Sequence, residues 1–89
     1  MINNYYSYKN LPQLDLHGKD KIEAKILTNS FVWENYILEK KIICIIHGQG
    51  MGILKKEVHN VLKKSSYIKE YKLDMMNLGI TIVELKDKI

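Results

Sequence analysis

Two short segments hold most of the residues in this chain that could do chemistry: Leu14-Asp15-Leu16-His17-Gly18 and His47-Gly48-Gln49-Gly50-Met51-Gly52. Asp15 and His17 stand at i and i+2. On an extended strand they share a face, roughly 7 Å apart at a rise of about 3.3 Å per residue. A carboxylate at that distance can orient an imidazole and favour its protonated form, and the pair could equally face a phosphate or a divalent ion. Gly48, Gly50 and Gly52 permit positive φ and close backbone approach, and they run into a segment with helical spacing. Helix N-termini leave N–H groups that bind phosphate oxygens, and Lys55 and Lys56 in the first turn add charge beside that anion. His47 is read as a second proton-transfer or phosphate group, and Gln49 as part of the phosphate loop. His59 shows only the spacing of a solvent-facing helical residue and is read as a bystander. Each feature also has a plainer reading: a tight glycine turn, an aspartate capping a nearby backbone group, and histidines satisfied inside the fold.

The elements that must position these residues can be read from periodicity. Pro12 to His17 alternates, with Leu14 and Leu16 on one face of a short strand and Asp15 and His17 on the other. Asp20-Lys21-Ile22-Glu23 has capping-box spacing, so a helix is expected from here to about Leu38, with Ala24, Leu27, Phe31 and Leu38 turned toward a sheet. A second stripe of Ile22, Ile26, Trp33 and Ile37 needs another cover. The expected candidates are the N-terminal segment with Tyr5, Tyr6 and Tyr8, or the second helix, in preference to an oligomer contact. A monomer is therefore favoured.

Lys41 to His47 is a continuous β-branched run and is expected to be a central, buried strand. A second helix, Ile53 to Lys64, buries Leu54, Val58, Val61 and Leu62 and turns Lys55, Lys56, His59 and Lys63 to the opposite flank. Strands follow at Tyr67 to Leu73 and Ile80 to Leu85. The order βαβαββ makes this an α/β chain. A strand, crossover helix and second strand of one sheet run parallel, so both motifs leave the carboxyl ends of their strands at the same edge. Ligands of open α/β sheets bind at that edge.

Composition sets the frame. At 89 residues, with 46% hydrophobic and 27% charged, the chain is expected to fold as one domain over 11–86, with an N-terminal extension at 1–10 and a tail at 87–89. Net charge is +4, and every basic residue is lysine. Lysine meets phosphate as a point charge and lacks the fork that reads guanine edges, which favours backbone contacts over base readout. The single cysteine, Cys44, excludes an internal disulfide and a cysteine-based zinc site. No secretory signal or membrane-length apolar run is present in the sequence, and a cytoplasmic location is expected.

Leu-Asp-Leu-His-Gly followed by a strand ending in His-Gly-x-Gly-x-Gly resembles the Smr (small MutS-related) domain, with further likeness at Ala24, Leu27 and Phe31, at Leu54, Lys55, Val58 and Leu62, and at Thr81 to Leu85. The resemblance implies a two-layer sandwich, a four-stranded mixed sheet with two helices, similar to the C-terminal domain of bacterial translation initiation factor 3. The family occurs as stand-alone proteins and as the C-terminal domain of MutS2 proteins, and it is associated with RNA cleavage, DNA nicking and ribosomes. It thus implies an endonuclease acting on RNA in preference to DNA, with Asp15, His17 and His47 catalytic. Gly48, Gln49, Gly50, Gly52, Lys55 and Lys56 would meet the phosphate. The alternative is an RNA- or ribosome-binding module that does not cut. A divalent metal is compatible with the residues and not required by them. Gln49 stands where relatives often carry lysine, and Lys55 where arginine is common, which keeps the charge and loses the fork. The chain is also expected to lack the ATPase and clamp regions of MutS2.

Overall fold

The Asp20–Glu23 capping box forms as its spacing predicts. The Asp20 carboxylate accepts from Glu23 N–H at 2.8 Å, and the Glu23 carboxylate from Asp20 N–H at 3.3 Å, satisfying donors that a helix start leaves open. From there, a computed structural model, which describes residues 10–89, runs through α1 (Lys21–Ile37), β2 (Ile42–Ile46), α2 (Ile53–Lys64), β3 (Ile68–Leu73) and β4 (Ile80–Leu85), with β1 (Gln13–Asp15) preceding α1. The expected order βαβαββ is the observed one, and the bounds of α2 and β4 are those expected. The first strand is shorter than its alternation implied. Pairing covers Gln13–Asp15, although Leu16 N–H still reaches Ile46 O at 2.9 Å.

The sheet order is β1-β2-β4-β3, with β1 parallel to β2 and the other pairs antiparallel. The fold is therefore an α/β sandwich with a four-stranded mixed sheet, and β2 is central. Both helices pack on one face. Leu16, Ala24 and Val32 meet Ile43 and Ile45 of β2, Val58 and Leu62 of α2, and Val83 and Leu85 of β4 in a single buried cluster. Strand alternation sends Ile42, Cys44, Ile80 and Ile82 to the other face, where they are buried and Leu11 packs on Ile42 and Ile82. Burial pushes the Cys44 thiol up to about 11, so it stays protonated and weakly reactive.

Two expectations about α1 change. Leu38 does not face the sheet: it is the C-cap and is 65% exposed, because the helix has ended and Glu39 turns the chain at a φ of 59°. The inward face is instead completed by Thr28 and Asn35, both buried. The second stripe of Ile22, Ile26, Trp33 and Ile37 is exposed. The second helix, which packs against α1, leaves it uncovered. Within the stripe, the Trp33 ring centroid lies 5.5 Å from that of Tyr67 and 6.4 Å from that of Tyr36. The proposed covering residues Tyr5, Tyr6 and Tyr8 lie outside the described residues. Among the described residues no helix is long and apolar enough to cross a membrane.

Candidate active site

Asp15 pairs with Ile46 across the parallel β1–β2 ladder, so the chain leaves both strands at one edge. Asp15, His17, Gly18, His47 and Gly48 gather there, with Ile46 and Leu54, around a cleft of about 270 Å³. Within it, the expected side-chain pairing of Asp15 with His17 is replaced by a different bond. Asp15 Oδ1 accepts the backbone N–H of His17 at 2.9 Å. The spacing i, i+2 that lets two strand residues share a face is also the spacing of an Asx turn, and here the turn wins because the ladder has ended. Gly18, at φ 75°, completes the bend. The carboxylate thus shapes the turn that presents His17. The His17 imidazole is exposed and makes no hydrogen bond among the described residues.

The second motif forms a loop held from behind. His47 N–H and Gly48 N–H both donate to the carbonyl of Gly79, at 2.9 and 3.0 Å. A Cβ on Gly79 would lie 3.1 Å from the Cα and carbonyl carbon of Gly48, so this close approach favours glycine, and a larger residue would need the Gly48 backbone to give by a few tenths of an ångström. Sequence reasoning missed Gly79. Gly48 and Gly52 take φ of 78° and 79°, whereas Gly50, expected to do the same, does not use positive φ. Gly52 is the N-cap of α2, and no side chain caps that end, which leaves first-turn N–H groups open to an anion. Lys55 is half-buried and Lys56 exposed on the same turn. Gln49 is exposed and reaches Asn77 Oδ1 only at 3.5 Å.

The third part of the site was not foreseen. His47 Nε2 and His59 Nε2 lie 2.8 and 2.7 Å from the same atom, Oγ1 of the fully buried Thr81. Proton positions follow from the partners. His47 Nδ1 sits 3.0 Å from the carbonyl of Gly48, which can only accept, so Nδ1 carries the proton. In a neutral ring Nε2 is then bare and accepts from the Thr81 hydroxyl, whose lone pairs accept from His59 Nε2–H. His59 Nδ1 keeps its lone pair and has no hydrogen-bond partner among the described residues. The rings of His47 and His59 meet edge to face at 5.9 Å, and Tyr71 packs 5.1 Å from His59. Burial is the largest cause lowering both imidazoles below 6.5. Lys55 lowers both further, His47 lowers His59, and the Gly48 hydrogen bond partly offsets the effect at His47.

These positions change two assignments. His59 is half-buried and bound into the site rather than a solvent-facing bystander. His47 is 7% exposed with both ring nitrogens engaged inside the protein, so the proton-transfer role expected of it does not fit its surroundings.

The Smr domain profile matches residues 14–86. The chain belongs to the Smr domain family. Among curated relatives, proteins named Endonuclease MutS2 are 41% identical over 76 residues in Clostridium kluyveri and 38% identical over 77 residues in Clostridium tetani. Those matches cover 82% and 83% of this chain and 10% of each relative, so the chain spans about a tenth of the length of the curated relatives it matches. Two solved structures share the fold. The Smr domain of Thermus thermophilus MutS2 superposes with a TM-score of 0.83 at 22% identity, covering 85% of this chain and 99% of that one. YdaL, a stand-alone small MutS-related protein from Escherichia coli, superposes with a TM-score of 0.80 at 20% identity, covering 84% and 64%.

No ready-made cage of protein ligands for a metal is present among the described residues of this Smr domain. Among the described residues no three His, Cys, Asp or Glu side chains converge, and the one carboxylate beside His17 has an oxygen committed to the turn. A protein-held divalent ion usually takes several oxygen or nitrogen ligands.

Proposed function

We propose that this Smr domain is an endonuclease that cleaves phosphodiesters, with RNA preferred over DNA. The observation that carries the reading is an unengaged imidazole, His17, in a cleft that it shares with Asp15, Gly48 and Leu54 of the first turn of α2. His17 exchanges a proton with the attacking or leaving oxygen, as a solvent-open ring with no internal partner can. Asp15 is a positioning residue, acting through the His17 backbone. The backbone at Gly48 and the uncapped first-turn N–H groups of α2 offset the charge that develops on the phosphate. Gln49 and Gly50 do not line the cleft, and Gly52, Lys55 and Lys56 line the groove beside it, where they meet the flanking strand. His47 positions the loop through Gly48 and Thr81. RNA is preferred because its own 2′-OH can serve as the attacking group, which suits a site with one free imidazole and no metal cage. The relatives named Endonuclease MutS2 support the activity class.

Labelled RNA and DNA are incubated with wild type, His17→Ala and Asp15→Ala, each with and without chelator. Wild type is expected to cut RNA faster than DNA with chelator present, and His17→Ala to lose cutting. Wild type that cuts neither, or variants that cut as well as wild type, would refute the assignment.

One observation favours a second reading. The cleft holds a single unengaged proton-transfer group, where acid–base cleavage commonly uses two. In that reading the same edge binds structured RNA or a ribosome without cutting, and affinity falls as salt rises.

A further inference from the structure

The cleft has a neighbour. Lys55, Lys56, His59 and Lys63 of α2, Met51 of the preceding loop and Tyr71 of β3 line a separate, open groove. The two share a wall: His47 lines the cleft and His59 the groove, and the Thr81 hydroxyl joins the rings. Three properties of the groove specify an occupant. First, three lysines line it and no acidic residue does. Lys55 and Lys63 are two turns apart, about 12 Å along the helix axis, which suits a polyanion better than a single phosphate ion. Second, the wall is not purely charged. Met51 is 93% exposed, and Tyr71 contributes an aromatic ring beside His59, giving soft and flat surfaces of the kind on which unpaired bases stack. Third, the Thr81 hydroxyl fixes the His59 proton on Nε2, so Nδ1 is a fixed acceptor. Lysines offer only donors, and phosphates and riboses both accept, but a ribose 2′-OH also donates.

We propose that this groove holds a single-stranded segment of RNA beside the cleft, with the lysines on phosphates, Met51 and Tyr71 against a base, and His59 Nδ1 accepting from a ribose 2′-OH. A duplex keeps its bases paired and cannot present one to Met51 and Tyr71. The proposal rests on the reading of RNA as substrate and extends it: the groove selects unpaired strand, and the cleft acts on the adjoining phosphodiester.

Binding is measured by fluorescence anisotropy at several salt concentrations, with the His17→Ala full chain so that no probe is cut. The probes are a labelled oligouridine RNA, its deoxyuridine counterpart and an RNA duplex of equal length. The RNA strand is expected to bind more tightly than either of the others. Adding Lys63→Ala, at an exposed position that lines only the groove, should lower the slope of log K against log salt by about 0.7, the value for one phosphate contact on a single strand. Tyr71→Leu should weaken binding roughly tenfold, and His59→Phe should bring RNA and deoxyuridine affinities together. Unchanged affinity and slope in the lysine variant, equal binding of duplex and single strand, or an unchanged RNA-to-DNA ratio in His59→Phe each overturns the proposal. The outcome is separable from the nuclease reading. If the variants behave as expected while wild type cuts nothing, the groove stands and catalysis falls. If wild type cuts RNA while the lysine variant binds like its parent, catalysis stands and the groove falls.

Discussion

Thr81→Val removes one hydroxyl and nothing else of size, since valine keeps the β-branch and the strand preference. The position is fully buried and its Oγ1 is the shared partner of two imidazole nitrogens, at 2.8 and 2.7 Å. His59 is half-buried and can turn to water for a new partner. His47, 7% exposed, cannot, so its Nε2 is left as a buried acceptor without a donor. Leaving such a group unsatisfied costs about 1–3 kcal/mol, and the bond lost at His59 adds about 0.5. A loss near 2 kcal/mol follows, or roughly a 10 °C fall in Tm for a domain of this size. Urea and thermal unfolding followed by circular dichroism measure it, with Thr81→Ser as the control that restores the hydroxyl. Long-range ¹⁵N spectra of the imidazoles supply a second readout: wild type should show His47 protonated at Nδ1 and His59 at Nε2, and the valine variant should scramble the His59 tautomer. A destabilisation under about 0.5 kcal/mol, on the scale of a surface substitution, together with unchanged tautomers, would refute the bridge.

Three further outcomes are expected. Because His47 and His59 are both depressed below 6.5, the unfolded chain binds more protons than the native one just below that pH. Their contribution to stability is therefore present above pH 6.5 and lost as pH falls through the lower folded values, and a urea midpoint that does not drop between pH 7 and pH 5 would contradict it. Gly79→Ala puts a methyl 3.1 Å from Gly48 and should cost about 1–2 kcal/mol by overpacking while lowering RNA cleavage several-fold, as read by a cleavage time course. Cys44, with its thiol raised to about 11, should resist alkylation at pH 8 in the native protein and react at once in denaturant, as mass spectrometry would show.

Local signals in the chain were enough for most of the fold. The Asp20–Glu23 box, the bounds of α2 and the β4 run carry their own start and stop chemistry, and the observed order matches. Signals that depend on what lies across a gap were not legible. Asp15 and His17 have the same spacing whether they share a strand face or form an Asx turn, and only the end of the β1 ladder decides between them. Helical periodicity grouped His59 with Lys55 and Lys63. It could not show that the ring reaches Thr81, which is 22 residues further along. One clue was available. Thr81 alternates with Val83 and Leu85 on the inward face of β4, and a hydroxyl in that row must find a polar partner. Gly79 carries no motif of its own, and its preference for a bare Cα arises only when Gly48 is folded against it. The stripe on α1 was correctly read as surplus apolar surface; of its two expected covers, α2 leaves it exposed and the N-terminal segment lies outside the described residues.

The position of β4 has a consequence for synthesis. It is the last of the four strands in sequence, yet it lies between β2 and β3, which are joined into one sheet only through it. It also brings Thr81, and the turn before it brings the Gly79 carbonyl that holds His47 and Gly48. A nascent chain emerges in order from its N-terminus. One that has made both motifs but not residues 79–85 holds neither a continuous sheet nor a braced loop. On this topology the domain has no half-built site: both motifs are translated early, and the brace that assembles them comes last.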